Sequence, residues 1–504
     1  MEEGKKEPGK GLSVWQLTML ALGTVVGGSF FLGSSVAIRA AGPSVLIAYV
    51  IGGVLVYWIL TALSEMTVEN PSLGSFRTYT EQAFGPGAGF TVGWVYWIGM
   101  VLAMSSEATA ASILIRGWFP WLSLGLLEAG IIVAMTLLNL LGADRLSKLE
   151  SSLAAVKLLA VVAFVVLAIL LAAGIGALLP GGPARSGPAG FGVLAGQPLM
   201  PGGVGAIAGS MLIVMFSYAG FEVLGLAASE TANPKVQVPK AIRLTLILLV
   251  GLFLSAMAGL FFLVPGSVVT VQESPFVTAL SLHGLGWAGN VMDIVLVSAI
   301  LSTMLASIFG LGRMLRSLAD EGHTPAWMRD KTDVPYRGIL FSGAAMLTGL
   351  GLGLLLPQGV YLFLLSSGGF SILFVYIAIM ASHYRLRRKR EKAEGARLPR
   401  SALRGFPYTS WLAMLSLAAV IVSMPLIPGQ GGGLAAGLLF VALFAGIYAG
   451  KRYFGRAPRS EVARRVPPGA FAARAQPELS EELTGPVVSD HKGPAGDGQR
   501  RDPG

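Results

Sequence analysis

The sequence predicts an all-α, polytopic membrane protein: twelve transmembrane helices, ordered as a five-plus-five inverted repeat with broken helices 1 and 6, and two helices added at the end. Three observations carry this. First, 54% of the 504 residues are hydrophobic and 13% are charged, against about a quarter charged in a soluble chain. Second, apolar stretches of roughly 20 residues, the length that crosses a bilayer as a helix, recur along the chain. Third, the first and sixth of these stretches are interrupted midway by small, turn-forming residues.

The segments run at about 13–39, 43–68, 87–115, 122–141, 149–175, 203–230, 239–264, 286–316, 337–356, 359–384, 407–427 and 431–450. Gly42-Pro43 separates the first two, because proline cannot continue a helix. Pro425, Pro428 and Gly431–Gly433 mark a short turn before the last. Residues 180–201, rich in Gly and Pro, read as an exposed outer loop. Residues 1–12 form a short polar N-terminus, and residues 451–504, with Pro, Gly and both charges but no apolar periodicity, read as a disordered tail. The starts of the two interrupted segments are five spans apart, an odd number, so the second runs opposite to the first, as an inverted repeat requires.

Basic residues fix the orientation. One set of loops carries only Arg39, Arg116 and Arg185. The other carries Arg145, Lys148, Lys235, Lys240, Arg243, Arg329, Lys331, Arg337 and the run Arg385–Lys392. Basic loops stay cytoplasmic, which puts both termini inside a plasma membrane. The Arg385–Arg390 run is chiefly this topology signal, with a lipid-headgroup site as the second reading. The same argument absorbs the net charge of +10 without nucleic acid. Zero Cys excludes disulfides and thiolate chemistry, and four His show no metal spacing. No nucleophile elbow or catalytic pair appears, so neither an enzyme nor a cofactor is expected.

The motifs resemble those of the amino acid–polyamine–organocation superfamily. Gly27-Gly28-Ser29-Phe30-Phe31-Leu32-Gly33-Ser34 with Ala41-Gly42-Pro43 is similar to its helix 1 signature. Glu65-Met66, Pro71, Gly74-Ser75, Tyr79, Gly85-Pro86 and Gly93-Trp94-Val95-Tyr96-Trp97 are similar to helices 2 to 3. Phe216-Ser217-Tyr218-Ala219-Gly220-Phe221-Glu222, then Ser229-Glu230-Thr231-Ala232-Asn233-Pro234 and Pro239-Lys240-Ala241-Ile242, are similar to helix 6 and its exit. Arg313-Met314-Leu315 and Ser382-His383-Tyr384-Arg385 extend the match over roughly residues 12–450. Two places depart from it. Many relatives have Gly-Thr-Gly where this chain has Gly27-Gly28-Ser29, and Asn-Ser-Gly where it has Leu305-Ala306-Ser307.

The resemblance implies amino acid transport at the two breaks, and their chemistry agrees. The first lies about ten residues into its span, roughly 15 Å deep at about 1.5 Å per residue. Backbone N–H groups near Gly27, Gly28 and Ser29 suit a carboxylate. Carbonyls near Val25, Val26, Phe216 and Ser217 suit an ammonium group. Together they read as an α-amino acid site, although a Gly-rich packing face is the alternative for helix 1 alone. Tyr218 and Phe221 flank the second break as candidate pocket walls, and Ala103 lies one turn from Glu107 on helix 3.

Ionisable residues inside a membrane are costly and therefore default functional candidates. Lys157 lies about eight residues into helix 5. By resemblance its ammonium replaces a sodium ion between helices 1 and 8 and carries a proton. Glu222 resembles a proton-coupling carboxylate of the family, and Glu107 is a candidate proton partner or pocket acid. Glu230 reads as an inner-gate acid. Asp293 and Glu65 sit nearer helix ends. Ser298, Ser302 and Thr303 offer hydroxyls that would suit sodium instead. The expectation is a proton symporter for neutral, small or hydroxylated amino acids, working by alternating access. An exchanger, a sodium symporter, a channel and a nutrient sensor are the alternatives.

Overall fold

The computed structural model describes residues 13–70, 72, 74–175, 191–222, 231, 233–330, 334–353, 360–394 and 401–454. The regular structure among them is helical, with no strand. Eight stretches are long and apolar enough to cross a membrane: Gly28–Glu69, Pro86–Trp118, Leu153–Ala172, Lys235–Leu263, Gly286–Asp320, Val360–Ala393, Tyr408–Leu426 and Gly431–Tyr453. Three further apolar helices, Val14–Val25, Leu124–Asn139 and Gly203–Ser217, are shorter.

The chain opens with α1 (Val14–Val25), started by a capping box in which Ser13 and Gln16 satisfy each other's backbone N–H. After the break come α2 (Gly28–Phe31) and α3 (Ser34–Ala41). A turn at Gly42, where φ is +58°, leads into α4 (Val45–Glu69). A short helix that the hydropathy pattern does not signal, α5 (Ser75–Phe84), precedes α6 (Pro86–Trp118). Then follow α7 (Leu124–Asn139), α8 (Ala143–Ala172), the small α9 (Phe191–Ala195) within the Gly/Pro-rich loop, and α10 (Gly203–Ser217). Beyond the second break lie α11 (Pro234–Leu263), a short buried α12 (Pro275–Leu282) and α13 (Gly286–Asp320). The last four are α14 (Tyr336–Gly353), α15 (Val360–Glu394), α16 (Tyr408–Ser423) and α17 (Gly431–Tyr453).

The middle of the molecule is α6, which packs on α5, α7, α13, α15 and α17. Its buried residues lie on nearly every side, so it shows no amphipathic stripe. Helices at the rim invert the soluble rule. Leu159 and Ile169 on α8, Leu415 on α16 and Leu439 on α17 are all exposed, as side chains that meet lipid should be.

Glycines set how closely helices approach at the N-terminal end of α6. A Cβ at Gly93 would lie 2.8 Å from the Arg77 side chain, and one at Gly89 would lie 2.7 Å from Glu81 Cβ. The i, i+4 glycines of α6 thus make the groove that receives the i, i+4 pair Arg77 and Glu81 of α5. Arg77 is fully buried there and pairs with Glu81 at 3.4 Å and with Glu321 just past α13.

Candidate functional site

The first break is short. Helix α1 ends at Val25, Val26 and Gly27 are extended, and α2 begins at Gly28. The second begins after Ser217, where Tyr218–Glu222 form turns and Gly220 takes φ +107°. The breaks touch. Thr24 Oγ1 donates to the Gly220 carbonyl at 3.2 Å, and Ser217 Oγ donates to the Ser29 carbonyl at 3.2 Å. A Cβ at Gly220 would lie 2.9 Å from the Thr24 carbonyl oxygen, so that position needs glycine for both space and φ.

Each break is tied by a buried carboxylate. Glu107, on α6, accepts the backbone N–H of Gly28 at 2.9 Å through Oε2 and that of Ser29 at 3.1 Å through Oε1. The sequence reading leaves those N–H groups free for a ligand, whereas here the protein's own carboxylate holds both. Glu222 holds the other break: its Oε2 accepts the Gly220 N–H at 3.0 Å and the Tyr376 hydroxyl at 3.4 Å. Tyr96, on α6, is near enough to act electrostatically on Glu222. Burying carboxylates is tolerable because hydrogen-bond donors surround them.

Lys157 is fully buried on α8 and donates to Thr303 Oγ1 of α13 at 3.5 Å. Thr303 in turn lies against the first break: a Cβ at Gly27 would be 3.2 Å from its Oγ1. Lys157 is also near enough to act electrostatically on Glu107. The chain of groups therefore runs Lys157, Thr303, Gly27, Gly28, Glu107.

The remaining predicted residues divide. Val25, Val26, Gly28, Ser29, Phe216 and Ser217 are buried around the breaks. Ala103 is buried against α15, where a Cβ at Gly368 would come within 3.1 Å of its own. Tyr218 is fully buried, its hydroxyl donating to the Tyr49 carbonyl at 3.0 Å and its ring packed on Tyr49 and Phe253. Phe221 lies against Tyr376, ring centroids 5.0 Å apart. Both rings are engaged with protein here. Asp293 and Glu65 stand away from the breaks, Glu65 in an ion network with His383 and Arg387. Glu230 lies outside the described residues.

Sequence reasoning missed Thr24, Tyr96 and Tyr376. Tyr96 and Glu107 are eleven positions apart on α6, which is three turns and one face. That periodicity was available, but an apolar run containing tyrosine gives no sign that its hydroxyl has a carboxylate to meet. A group with metal-ligand spacing among the described residues, Glu81, Glu321 and His323, has the Arg77 guanidinium paired with both carboxylates, which takes the place a cation would need.

A helical membrane protein whose two helix breaks meet at buried carboxylates and a buried lysine has the makeup of a solute carrier. Residues 16–464 match the amino acid permease family, and the chain belongs to that family. It is 33% identical over 413 residues to the uncharacterized amino acid permease YvbW of Bacillus subtilis, covering 81% of this chain and 90% of that one. It is 34% identical over 432 residues to a gamma-aminobutyric acid permease of Escherichia coli (84% and 90% covered). To the aromatic amino acid transport protein AroP of Corynebacterium glutamicum it is 30% identical over 433 residues (84% and 91%). It is thus a membrane transport protein for amino acids and not an enzyme.

Proposed function

We propose that this permease carries a neutral, zwitterionic amino acid by proton symport, with the substrate held between the two breaks. The observation that carries the reading is the pair of N–H groups of Gly28 and Ser29, which a carboxylate already occupies in the form of Glu107. A substrate carboxylate takes over those two donors, and the displaced Glu107 is then beside the substrate's ammonium group. Carbonyls of Val25, Val26, Phe216 and Ser217 complete the amine side, and Tyr218, Phe221 and Ala103 bound the side chain. Substrates of the relatives named above include gamma-aminobutyric acid and aromatic amino acids. Among the described residues no unengaged acid or arginine lies at the breaks, which favours a neutral side chain, small or hydroxylated.

Protons rather than sodium fit Lys157. Its ammonium stands at the Thr303 hydroxyl, where a sodium ion would want oxygen ligands alone. Lys157, Glu107 and Glu222 are the proposed proton carriers, and Glu230 the inner gate. The frame is twelve spans in a five-plus-five inverted repeat plus two, with residues 13–450 as the permease domain, both termini cytoplasmic and the tail unstructured. Alternating access comes from rocking spans 1, 2, 6 and 7 against 3, 4, 8 and 9.

The test is uptake of a labelled amino acid panel into proteoliposomes under a proton gradient and, separately, a sodium gradient. Accumulation driven by protons alone supports the reading. Accumulation driven only by sodium moves the coupling to the α13 hydroxyls. Counterflow with no gradient-driven uptake makes the protein an exchanger. Preference for lysine or arginine over serine, threonine and alanine overturns the neutral assignment.

A further inference from the structure

The end of α15 carries its arginines on two faces with opposite fates. On the inner face, Arg387 pairs with Glu65 at 2.9 Å and Arg390 pairs with Glu69. Glu65 also accepts from Ser401 Oγ at 2.7 Å and from the Ala402 N–H at 2.9 Å, so this face is consumed in holding α4, α15 and the approach to α16 together. The outer face repeats at i, i+3, i+4 and i+7: Arg385, Arg388, Lys389 and Lys392, all exposed. Of these, only Arg388 has a carboxylate partner among the described residues, Glu391 at 3.3 Å.

Two of the outer guanidinium groups are held in place by rings. Arg385 lies 4.9 Å over Phe84, and Arg388 lies 5.8 Å over both Tyr384 and Phe406. Trp411, half exposed, meets Tyr384 with centroids 5.5 Å apart, and Tyr408 beside it is almost wholly exposed. Trp and Tyr gather where headgroups meet acyl chains. Below them the outward surface of α16 is apolar, with Leu412 and Leu415 exposed. From the tip of α15 down α16 the order is therefore cations, aromatic rings, hydrocarbon, the order of an anionic phospholipid read from its phosphate downward.

We propose that Arg385 and Arg388, supported by Lys389 and Lys392, form a binding site for the headgroup of an anionic glycerophospholipid. The phosphate accepts from the two guanidinium groups that lie over rings, and the acyl chains lie along Trp411, Leu412 and Leu415. A topology signal needs only positive charge. It does not need guanidinium groups placed over rings or a sorted pair of faces. The site rests on the cytoplasmic orientation proposed above only for which leaflet supplies the lipid.

Native mass spectrometry of the full-length protein in neutral detergent, offered dioleoylphosphatidylglycerol and dioleoylphosphatidylcholine in equal amounts, tests it. Phosphatidylglycerol should be retained at least about fivefold over the choline lipid. The double variant Arg385→Gln/Arg388→Gln should lower that retention about tenfold or more, since each basic residue near an anionic surface contributes on the order of 1 kcal/mol. Lys389→Gln/Lys392→Gln, which touches no ring, should lower it by a smaller factor and serves if the first pair fails to fold. Lys235→Gln/Lys240→Gln should leave it unchanged. Equal loss in all three pairs, or no preference for phosphatidylglycerol, overturns the site. So does full competition by soluble glycerol phosphate, which would make it a phosphate site without a lipid. The orientation is checked apart: the chain has no cysteine, so Lys392→Cys should react with a membrane-permeant maleimide and not with an impermeant one. Reaction from outside would reverse the topology and leave the detergent result standing.

Discussion

Glu107 and Gly28 are joined across 79 positions of sequence by a 2.9 Å hydrogen bond from the Gly28 N–H to the Glu107 carboxylate, with Ser29 adding a second bond at 3.1 Å. Glu107→Gln is the sharpest probe. An amide offers one carbonyl oxygen and turns an NH2 toward the other donor, so one of the two bonds must be lost. Gradient-driven uptake should fall about tenfold or more, by the ~1.5–3 kcal/mol attached to a buried hydrogen bond with a charged partner. Wild-type uptake by Glu107→Gln would remove the carboxylate from the transport cycle.

Lys157→Ala should abolish accumulation against a gradient while leaving counterflow partly intact. Deleting the ammonium removes the cation facing Thr303 but none of the backbone groups at the breaks. If Lys157→Ala accumulates substrate normally, the lysine is a structural group and coupling lies elsewhere.

Gly220→Ala tests the contact of the breaks. At φ +107° and with the Thr24 carbonyl 2.9 Å from the new Cβ, alanine is both strained and crowded. Transport should be lost in protein that still reaches the membrane. Gly251→Ala, where a Cβ meets nothing within 4 Å, should transport normally. Equal activity of the two variants would show that the breaks can part without consequence.

How much of this was legible in the sequence follows from what each signal measures. The breaks at Gly27 and Gly220 were readable because lipid forbids unpaired backbone except at a cavity or protein contact, and glycine marks such places. Lys157 and Glu107 were readable because charge in an apolar run is rare. What Glu107 binds was not, since hydropathy places a carboxylate at a depth and says nothing of its direction. Helix α5 escaped for a related reason: Arg77, Thr78, Glu81 and Gln82 make the segment polar, and its burial depends on glycines Gly89 and Gly93 of the next helix. Twelve spans and an inverted repeat remain part of the proposed frame.

The cluster of Arg77, Glu81, Glu321 and His323 carries a pH dependence. Burial, then the charges of Arg77 and Lys451, lower His323 from its ordinary value of 6.5 to about 4. Between those values the unfolded chain holds the proton and the folded chain does not, so His323 contributes instability that grows as pH falls from about 6.5 toward 4. Glu81, raised by burial and by Glu321, acts in the opposite sense. The two separate in a variant: His323→Asn should lose less melting temperature than wild type on going from pH 7 to pH 5. Identical losses would mean that His323 is charged in the fold.

Gly93 and Glu107 belong to one uninterrupted helix, about 21 Å apart at about 1.5 Å per residue. The seat of Arg77 and Glu81 at one end fixes how that rod is turned about its axis, and so aims a carboxylate at the other. A single residue inserted between them would swing Glu107 by about 100° away from the first break while every residue kept its chemistry. In this permease the distance and phase between the ion cluster and Glu107 are written in a residue count, and helix length itself becomes a part that cannot be changed by one.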